Sequence, residues 1–328
     1  MSDVARLAGV SAQTVSRVAA GSEHVRPDTR ERVLRAMNQL GYSPNRAAQA
    51  LRRGSFKTIG VLTQQIQRTG EALTTAGVLE AATAAGYAVN LVQVERPASG
   101  DLREAVYRLS HQAIDGLVVV QAGRAGREQL ALPPSMPVAV SDSTLVDYYP
   151  SASADQVGGV RAAVEHLLEL GHRTVHHVSG PKDSQSSLIR RATWARCLRE
   201  SGREVPEPVP GEWEAAAGYE AGLHLATDPE VTAVFCANDE LALGLIRAMH
   251  EQGRRVPQDV SVVGFDGLAV GEYSFPPLTT VRQDFKRHGR EMVGLVLEQV
   301  ASRTLDGSRS IIIPTEFIVR GSTAPPAP

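Results

Sequence analysis

The sequence predicts a small all-α helix-turn-helix head followed by an α/β body of two doubly wound parallel-sheet lobes. Three observations lead there. Residues 1–42 divide at Gly9, Gly21 and Gly41 into three short stretches with apolar residues at helical spacing. From Lys57 onward, short apolar runs alternate with helical segments, the pattern of parallel strands covered by helices on both faces. About 265 residues of this alternation exceed the usual single domain, so two lobes fit better than one oversized sheet.

In the head, Ser2 or Asp3 is placed to cap a first helix with Val4, Leu7 and Ala8 as its apolar residues and Gly9 as its stop. Ser11 can cap a second helix that carries Val15, Val18 and Ala19 on one side and ends at Gly21. Pro27 opens a third, with Val33, Met37 and Leu40 at helical spacing and Gly41 as terminator. Two helices joined by a tight turn and braced by a third make a helix-turn-helix, here residues 1–42. Residues 43–57 read as a hinge helix and linker. In the body, runs 59–62, 87–94, 116–120, 138–140, 175–178, 233–236 and 260–265 read as strands. Helical patterns span 75–85, 102–109, 160–170, 189–200, 219–226 and 241–252. The body covers 58–321, its first lobe about 58–154 and 285–310, its second about 155–281 and 311–321. The Pro/Ala-rich residues 322–328 are expected to be a disordered tail. No leucine heptads follow, so no C-terminal coiled coil is expected.

Composition narrows the function classes. A hydrophobic content of 42% with 21% charged residues is that of a water-soluble chain, and no run of 18 uncharged apolar residues exists to span a membrane. Asp3 and Arg6 interrupt any secretory signal. Two cysteines make no disulfide scaffold, so the reducing cytoplasm is the expected setting. The net charge of −2 conceals an asymmetry: residues 1–57 hold ten Lys/Arg against four Asp/Glu, or +6, and the remainder carries −8. A basic head on an acidic body suits a polyanion at the head alone; the alternative is an ordinary solvated helical surface.

Gln13 and Arg17, four apart, share one face of the second helix, opposite Val15 and Val18, with Ala12 beside them. Gln pairs bidentately with adenine, Arg with guanine, and a small apolar side chain meets a thymine methyl. On an isolated helix these would be plain surface residues. In a basic helix-turn-helix they occupy the part that enters the major groove. Segment 43–54, SPNRAAQALRRG, is too short to be a stable free helix, since helices below ~12–15 residues are marginal in water. It should fold against a surface or a partner copy, with Leu51 wedged into a kinked minor groove; otherwise it is a linker with an incidental leucine.

These motifs, GVSAQTVSRV, HVRPDTRERV and GYSPNRAAQALRRG, resemble the DNA-binding head and hinge of the LacI family of bacterial repressors, and the resemblance extends along the whole chain. It implies a homodimer on a pseudo-palindromic double-stranded operator, with Ala12, Gln13 and Arg17 reading bases. Leu51, Asn45, Ala48 and Gln49 would form the minor-groove element. Ser11, Thr14, Ser16, His24 and Tyr42 match family positions near phosphates or neighbouring groove edges. The body resembles the family's periplasmic-binding-protein-like effector domain.

In doubly wound sheets, ligands bind beyond the carboxyl ends of strands. Asp142, Asn238, Asp239 and Asp266 directly follow predicted strands, Arg190 starts a helix, and Gln283 and Asp284 lie on a returning segment. Such carboxylates, amides and a guanidinium suit a polyhydroxylated ligand, and Trp213 offers a flat face for a pyranose. Each alone could equally be a helix cap or salt-bridge partner. The resemblance implies sugar contacts at Asp142, Ser186, Arg190, Trp213, Asn238, Asp266, Gln283 and Phe285, and a galactoside or related disaccharide as effector. One region departs: where a sugar-responsive member has an apolar pad, this chain reads TQQIQRTGEA with Gln64, Arg68 and Glu71, and Ala154 replaces a large aromatic. That side of the pocket should be more polar or roomier.

His172, His176 and His177 have no Cys or acidic partner at ligand spacing and read as structural. No nucleophile elbow, phosphate loop or zinc motif occurs. Neither a metal, a cofactor nor a catalytic residue is expected. The sequence thus predicts a non-enzymatic transcriptional regulator, a repressor released by a small sugar. The rivals are a corepressor-dependent regulator and, in another class, a solute-binding protein for sugar uptake.

Overall fold

Residues 1–57 and 58–328 form two units. The computed structural model of the protein describes the chain apart from residues 20–21, 23, 43–54, 95–100, 112, 121–129, 131, 133–134, 142–143, 147, 305–308 and 328. The head contains α1 (Ser2–Ala8), α2 (Ala12–Ala19) and α3 (Pro27–Gln39). Val4, Ala5, Ala8, Val15, Val18, Val25, Val33, Ala36 and Met37 form its core. Leu7 and Leu40, expected inside, are exposed. Ala5 and Ala36 take inward positions instead. Ser2 and Asp3 lie within α1, whose N-cap is Met1 without a side-chain cap. Gly9 and Gly41 adopt the left-handed conformation that ends a helix, at φ 62° and 59°. Gly21 lies outside the described residues.

The body consists of two sheets. β1 (Thr58–Thr63), β2 (Ala88–Gln93), β3 (Gly116–Val119), β4 (Val138–Val140), β5 (Ser151–Ala154) and β10 (Ser310–Ile313) form the first, parallel throughout, in the order β10-β5-β4-β3-β1-β2. Helices α4 (Thr69–Ala84), α5 (Asp101–His111) and α11 (Phe285–Ser302) belong to this lobe. In the second lobe, β6 (His176–Val178), β7 (Ala233–Cys236), β8 (Ser261–Asp266) and β9 (Thr279–Arg282) run parallel, and β11 (Glu316–Ile318) joins β9 antiparallel. Helices α6 (Gln156–Glu169), α7 (Gln185–Glu200), α8 (Ala215–Leu225), α9 (Asp239–Glu251) and the short α10 (Ala269–Glu272) complete it.

Burial explains the unbroken apolar runs. Along β3, Leu117 and Val119 pack into one cluster while Val118 and Val120 pack into the cluster on the opposite face. Along β7, Val234 and Cys236 separate in the same way from Ala233 and Phe235. Both faces of each sheet are therefore covered, as parallel sheets require. The chain passes between lobes after β5, after β9 and after β10.

Two expected boundaries are corrected. All of β10 pairs with β5, so residues 311–313 belong to the first lobe rather than the second. The tail is no loose end through Ala324: Ser322 is fully buried, its Oγ donates to the Val262 carbonyl at 2.6 Å and accepts from Thr279 N at 2.8 Å. Ala324 N donates to Ser261 Oγ at 3.0 Å. β8 begins two residues before its neighbour β9 reaches it in register, and the tail satisfies the polar groups left there. Composition alone does not register such a need.

Helices also start earlier than their apolar periodicity. α4 begins at Thr69 instead of 75, α6 at Gln156 instead of 160, and α9 at Asp239 instead of 241. The first turns of α4 and α9 face the space between the lobes through Thr69, Glu71 and Glu240.

Candidate functional site

On the head, the polar side of α2 is open. Ala12, Gln13 and Arg17 are exposed, while Val15 and Val18 are buried on the opposite side. Ser11 caps the helix: Thr14 N donates to its Oγ at 3.1 Å, and the two hydroxyls lie 2.9 Å apart. Ser16 is half-buried and His24 exposed. Tyr42 lays its ring partly against the head core, and its N–H donates to the Met37 carbonyl at 2.8 Å. Asn45, Ala48, Gln49 and Leu51 lie outside the described residues.

In the body, the structure gathers Ser186, Arg190, Trp213, Asn238, Asp266, Gln283 and Phe285 around one cleft between the lobes. The cleft leaves about 60 Å³ of room for water-sized centres, within about 570 Å³ of atom-free space that includes open solvent. Asp142, the eighth expected residue, lies outside the described residues.

Arg190 organises the second-lobe wall. It projects from the first turns of α7 and is 3% exposed. Its Nε donates to Gln156 Oε1 at 2.8 Å, Nη1 to the Ala237 carbonyl, and Nη2 lies 3.3 Å from Asp266 Oδ1. The guanidinium stands 3.8 Å above the Phe265 ring and 5.6 Å from the Trp213 centroid, both within cation–π reach. Asp266 ends β8 at φ 107°, a strained backbone for a residue with a Cβ. Gln283 Nε2 donates to its Oδ1 at 2.7 Å. Burial pushes the Asp266 carboxyl up, and Arg190 and Gln283 pull it part of the way back.

Asn238 does two things. Its Oδ1 caps α9 by accepting from Leu241 N at 2.9 Å, and its Nδ2 donates to the Trp213 carbonyl at 2.9 Å, tying the tryptophan loop to the helix. Trp213 lies against Gly180, where a Cβ would come within 2.6 Å of the indole. Only glycine permits that placement. Asp239, next in sequence, is buried; it accepts from Leu268 N at 2.6 Å and Thr280 Oγ1 at 2.5 Å. Burial, with Asp266 nearby, pushes its carboxyl up to about 7.

The first-lobe wall comes from the first turns of α4 and α11. These helices touch backbone to backbone: a Cβ on Gly289 would lie 2.3 Å from Gly77 C, and one on Gly77 would lie 2.7 Å from the Phe285 carbonyl. That approach sets Phe285 beside Gly70 and brings Arg68, Glu71 and Thr74 to the cleft. Across the gap, Thr69 Oγ1 donates to Glu240 Oε1 at 2.7 Å, a direct bond between lobes. His288 is buried; its Nε2 donates to the Ala152 carbonyl at 2.7 Å and stands 2.8 Å from Ser141 Oγ.

Sequence reasoning missed Thr69, Thr74, Ser141, Glu240 and His288 as cleft residues. Glu240 follows Asn238 and Asp239 in the same helix start and could have been found there. The others carry no local signal. Two of the three histidines read as structural pack within the second lobe: His172 bonds Thr232, Ser261 and the tail, and His177 stacks on Phe235, burial lowering it to about 4. Among the described residues, no group of three or more His, Cys, Asp or Glu could hold a metal ion, and no helix is long and apolar enough to cross a membrane.

Residues 1–45 match the model of bacterial regulatory proteins of the lacI family, and residues 164–323 match the periplasmic binding protein-like domain. The chain is similar to the lactose operon repressor of Escherichia coli (strain K12), 34% identical over 330 residues that cover 99% of this chain and 90% of that protein. The chain belongs to the LacI family. Among solved structures, the lac repressor dimer bound to operator and the anti-inducer ONPF superposes with a TM-score of 0.88 at 33% identity, covering 98% of both chains. A complex of the transcriptional regulator CelR with cellobiose has a TM-score of 0.74 at 30% identity over 98% of both chains.

Proposed function

We propose that this LacI-family protein is a transcriptional repressor, not an enzyme, that binds a pseudo-palindromic operator as a homodimer and releases it when a small sugar occupies the cleft. The single observation that carries this reading is the conjunction within one chain of an exposed Gln13/Arg17 face on α2 and a cleft around Arg190, Asp266 and Trp213. Similarity over nearly the full length to a repressor solved on operator DNA supports the first half. Similarity to a regulator solved with cellobiose supports the second. Ala12, Gln13 and Arg17 read bases; Ser11, Thr14, Ser16, His24 and Tyr42 set the helix on the backbone; Asn45, Ala48, Gln49 and Leu51 take the minor groove. In the cleft, Arg190, Asp266, Asn238 and Gln283, with Asp142 and Ser186, hold hydroxyls, and Trp213 and Phe285 cover the apolar ring faces.

The coupling is linkage. A sugar that prefers one relative setting of the lobes shifts the population toward it, and operator affinity falls by the same differential free energy. A coupling of a few kcal/mol, a factor of ~10–1,000, suffices for regulation. The test is selection from a random duplex pool by the sugar-free protein. The expected product is an enriched site with two-fold symmetry, whose recovery drops when lactose or cellobiose is added. A pool that stays random, or a site retained only when sugar is present, overturns the proposal, the latter in favour of corepression.

A further inference from the structure

The first-lobe wall contains an ion pair, Arg68 with Glu71, that leaves some of its hydrogen-bonding capacity unused. Glu71, 4% exposed, employs one carboxylate oxygen structurally: Oε2 accepts from Thr63 Oγ1 at 2.6 Å, Gln65 N at 2.8 Å and Gln64 N at 3.1 Å. Its other oxygen, Oε1, is buried and has no hydrogen-bond partner among the described residues. Arg68 is 11% exposed, and its Nη1 lies 3.9 Å from that oxygen, beyond hydrogen-bond range. Arg68 Nε and Nη1 are likewise buried without a hydrogen-bond partner among the described residues. Native proteins leave few buried polar atoms unsatisfied, because withholding them from water is costly. Three such atoms sit on two side chains that both line the cleft.

We propose that Arg68 and Glu71 form a diol-reading dyad: the guanidinium donates to one hydroxyl oxygen of a sugar ring, and Glu71 Oε1 accepts from the hydroxyl next to it. The inference rests on the sugar-released reading above and names which part of the sugar the first lobe selects. A hydroxyl both donates and accepts, so two adjacent ones satisfy a donor and an acceptor placed side by side. A hydrocarbon substituent in the same place would strand all three atoms. Charge favours a neutral ligand over an acidic one. The lining contains two guanidiniums, Arg68 and Arg190, against the three carboxyl groups of Glu71, Glu240 and Asp266, so an anion would meet an excess of like charge. Burial also pushes the Glu71 carboxyl up, which a charge-assisted bond from a hydroxyl would oppose. Sites built to hydrogen-bond a hydroxyl reject analogues that lack it far more strongly than apolar pockets reject a wrong size.

The experiment is calorimetric titration of the full chain with lactose, cellobiose, their monodeoxy analogues and the anionic lactobionate and cellobionate. The variants are Arg68→Leu, Glu71→Gln and Trp213→Ala. Glutamine keeps an oxygen for the Thr63, Gln64 and Gln65 donors, so Glu71→Gln should melt close to the wild type. For whichever disaccharide binds, removal of either of two adjacent hydroxyls should weaken wild-type binding by about 10–100-fold. The same removals should cost little further in Arg68→Leu and Glu71→Gln. An unchanged deoxy ranking in both variants, or tighter binding of an aldonate than of its neutral parent, overturns the dyad. If Trp213→Ala abolishes binding while both dyad variants behave as wild type, the sugar reading stands and the dyad falls. If neither disaccharide binds the wild type, both fall together.

Discussion

The two walls of the cleft differ in how their polar groups are satisfied. On the second-lobe wall, Arg190, Asp266, Gln283, Gln156 and Asn238 bond one another or nearby backbone. On the first-lobe wall, Arg68 and Glu71 pair with each other but keep buried atoms with no hydrogen-bond partner among the described residues. A network whose members are already bonded fixes geometry, and a ligand meets it preformed. A wall with unspent donors and acceptors gains most from a ligand and so chooses between ligands. Under the proposed dyad, position is set on one side of the cleft and selectivity on the other.

The largest blow to this contrast is Arg190→Ala. Removing the guanidinium leaves Asp266 buried without its ion-pair partner, a loss of roughly 3–5 kcal/mol by the precedent of broken buried pairs, measured by urea unfolding. A loss under about 1 kcal/mol would mean that the second-lobe wall is not a linked network. Gly289→Ala comes next, at roughly 1–3 kcal/mol, because its methyl would collide with the α4 backbone at Gly77. Since α4 and α11 carry Arg68, Glu71 and Phe285, ligand affinity should fall as well as stability; a fall in stability alone would detach the helix contact from the site.

A smaller effect concerns pH. Asp239 has its carboxyl raised to about 7 from an ordinary 3.8. The protonated form is thus favoured by folding, and the associated stability is fully present below pH 4 and lost as pH rises through about 7. The stability difference between wild type and Asp239→Asn should shift against the wild type across that window, read from urea midpoints. A pH-independent difference would show that Asp239 does not titrate there. Smallest is Thr69→Ala, which deletes the inter-lobe bond to Glu240 at about 0.5–1.5 kcal/mol. Amide exchange in the first turns of α4 and α9 should quicken with little change in the unfolding midpoint; unaltered exchange would mean that the lobes do not part there.

Much of this was legible in the sequence, for identifiable reasons. Strands buried on both faces announce themselves as unbroken apolar runs, and polar residues just beyond them, Asn238 and Asp266, fall at the cleft by topology. Gln13 and Arg17 were readable because helical spacing separates them from Val15 and Val18. What stayed hidden shares a cause. Periodicity follows the core, so it is silent over the first turns of α4 and α6, which supply Thr69 and Gln156. His288 and Ser141 meet across 147 residues, a pairing no local pattern encodes. The tail was misjudged because its role depends on the unpaired start of β8, not on its own composition.

The central claim is that occupancy of the cleft sets the grip of the head on DNA. Fluorescence anisotropy of a labelled duplex recovered by selection, held in complex and titrated with lactose and cellobiose, tests it directly. At least one sugar should release the duplex from the wild type by tenfold or more in affinity, while Arg190→Ala still binds the duplex and ignores the sugar. Release that proceeds equally in Arg190→Ala, or a wild-type complex indifferent to a sugar shown calorimetrically to bind, would contradict the account.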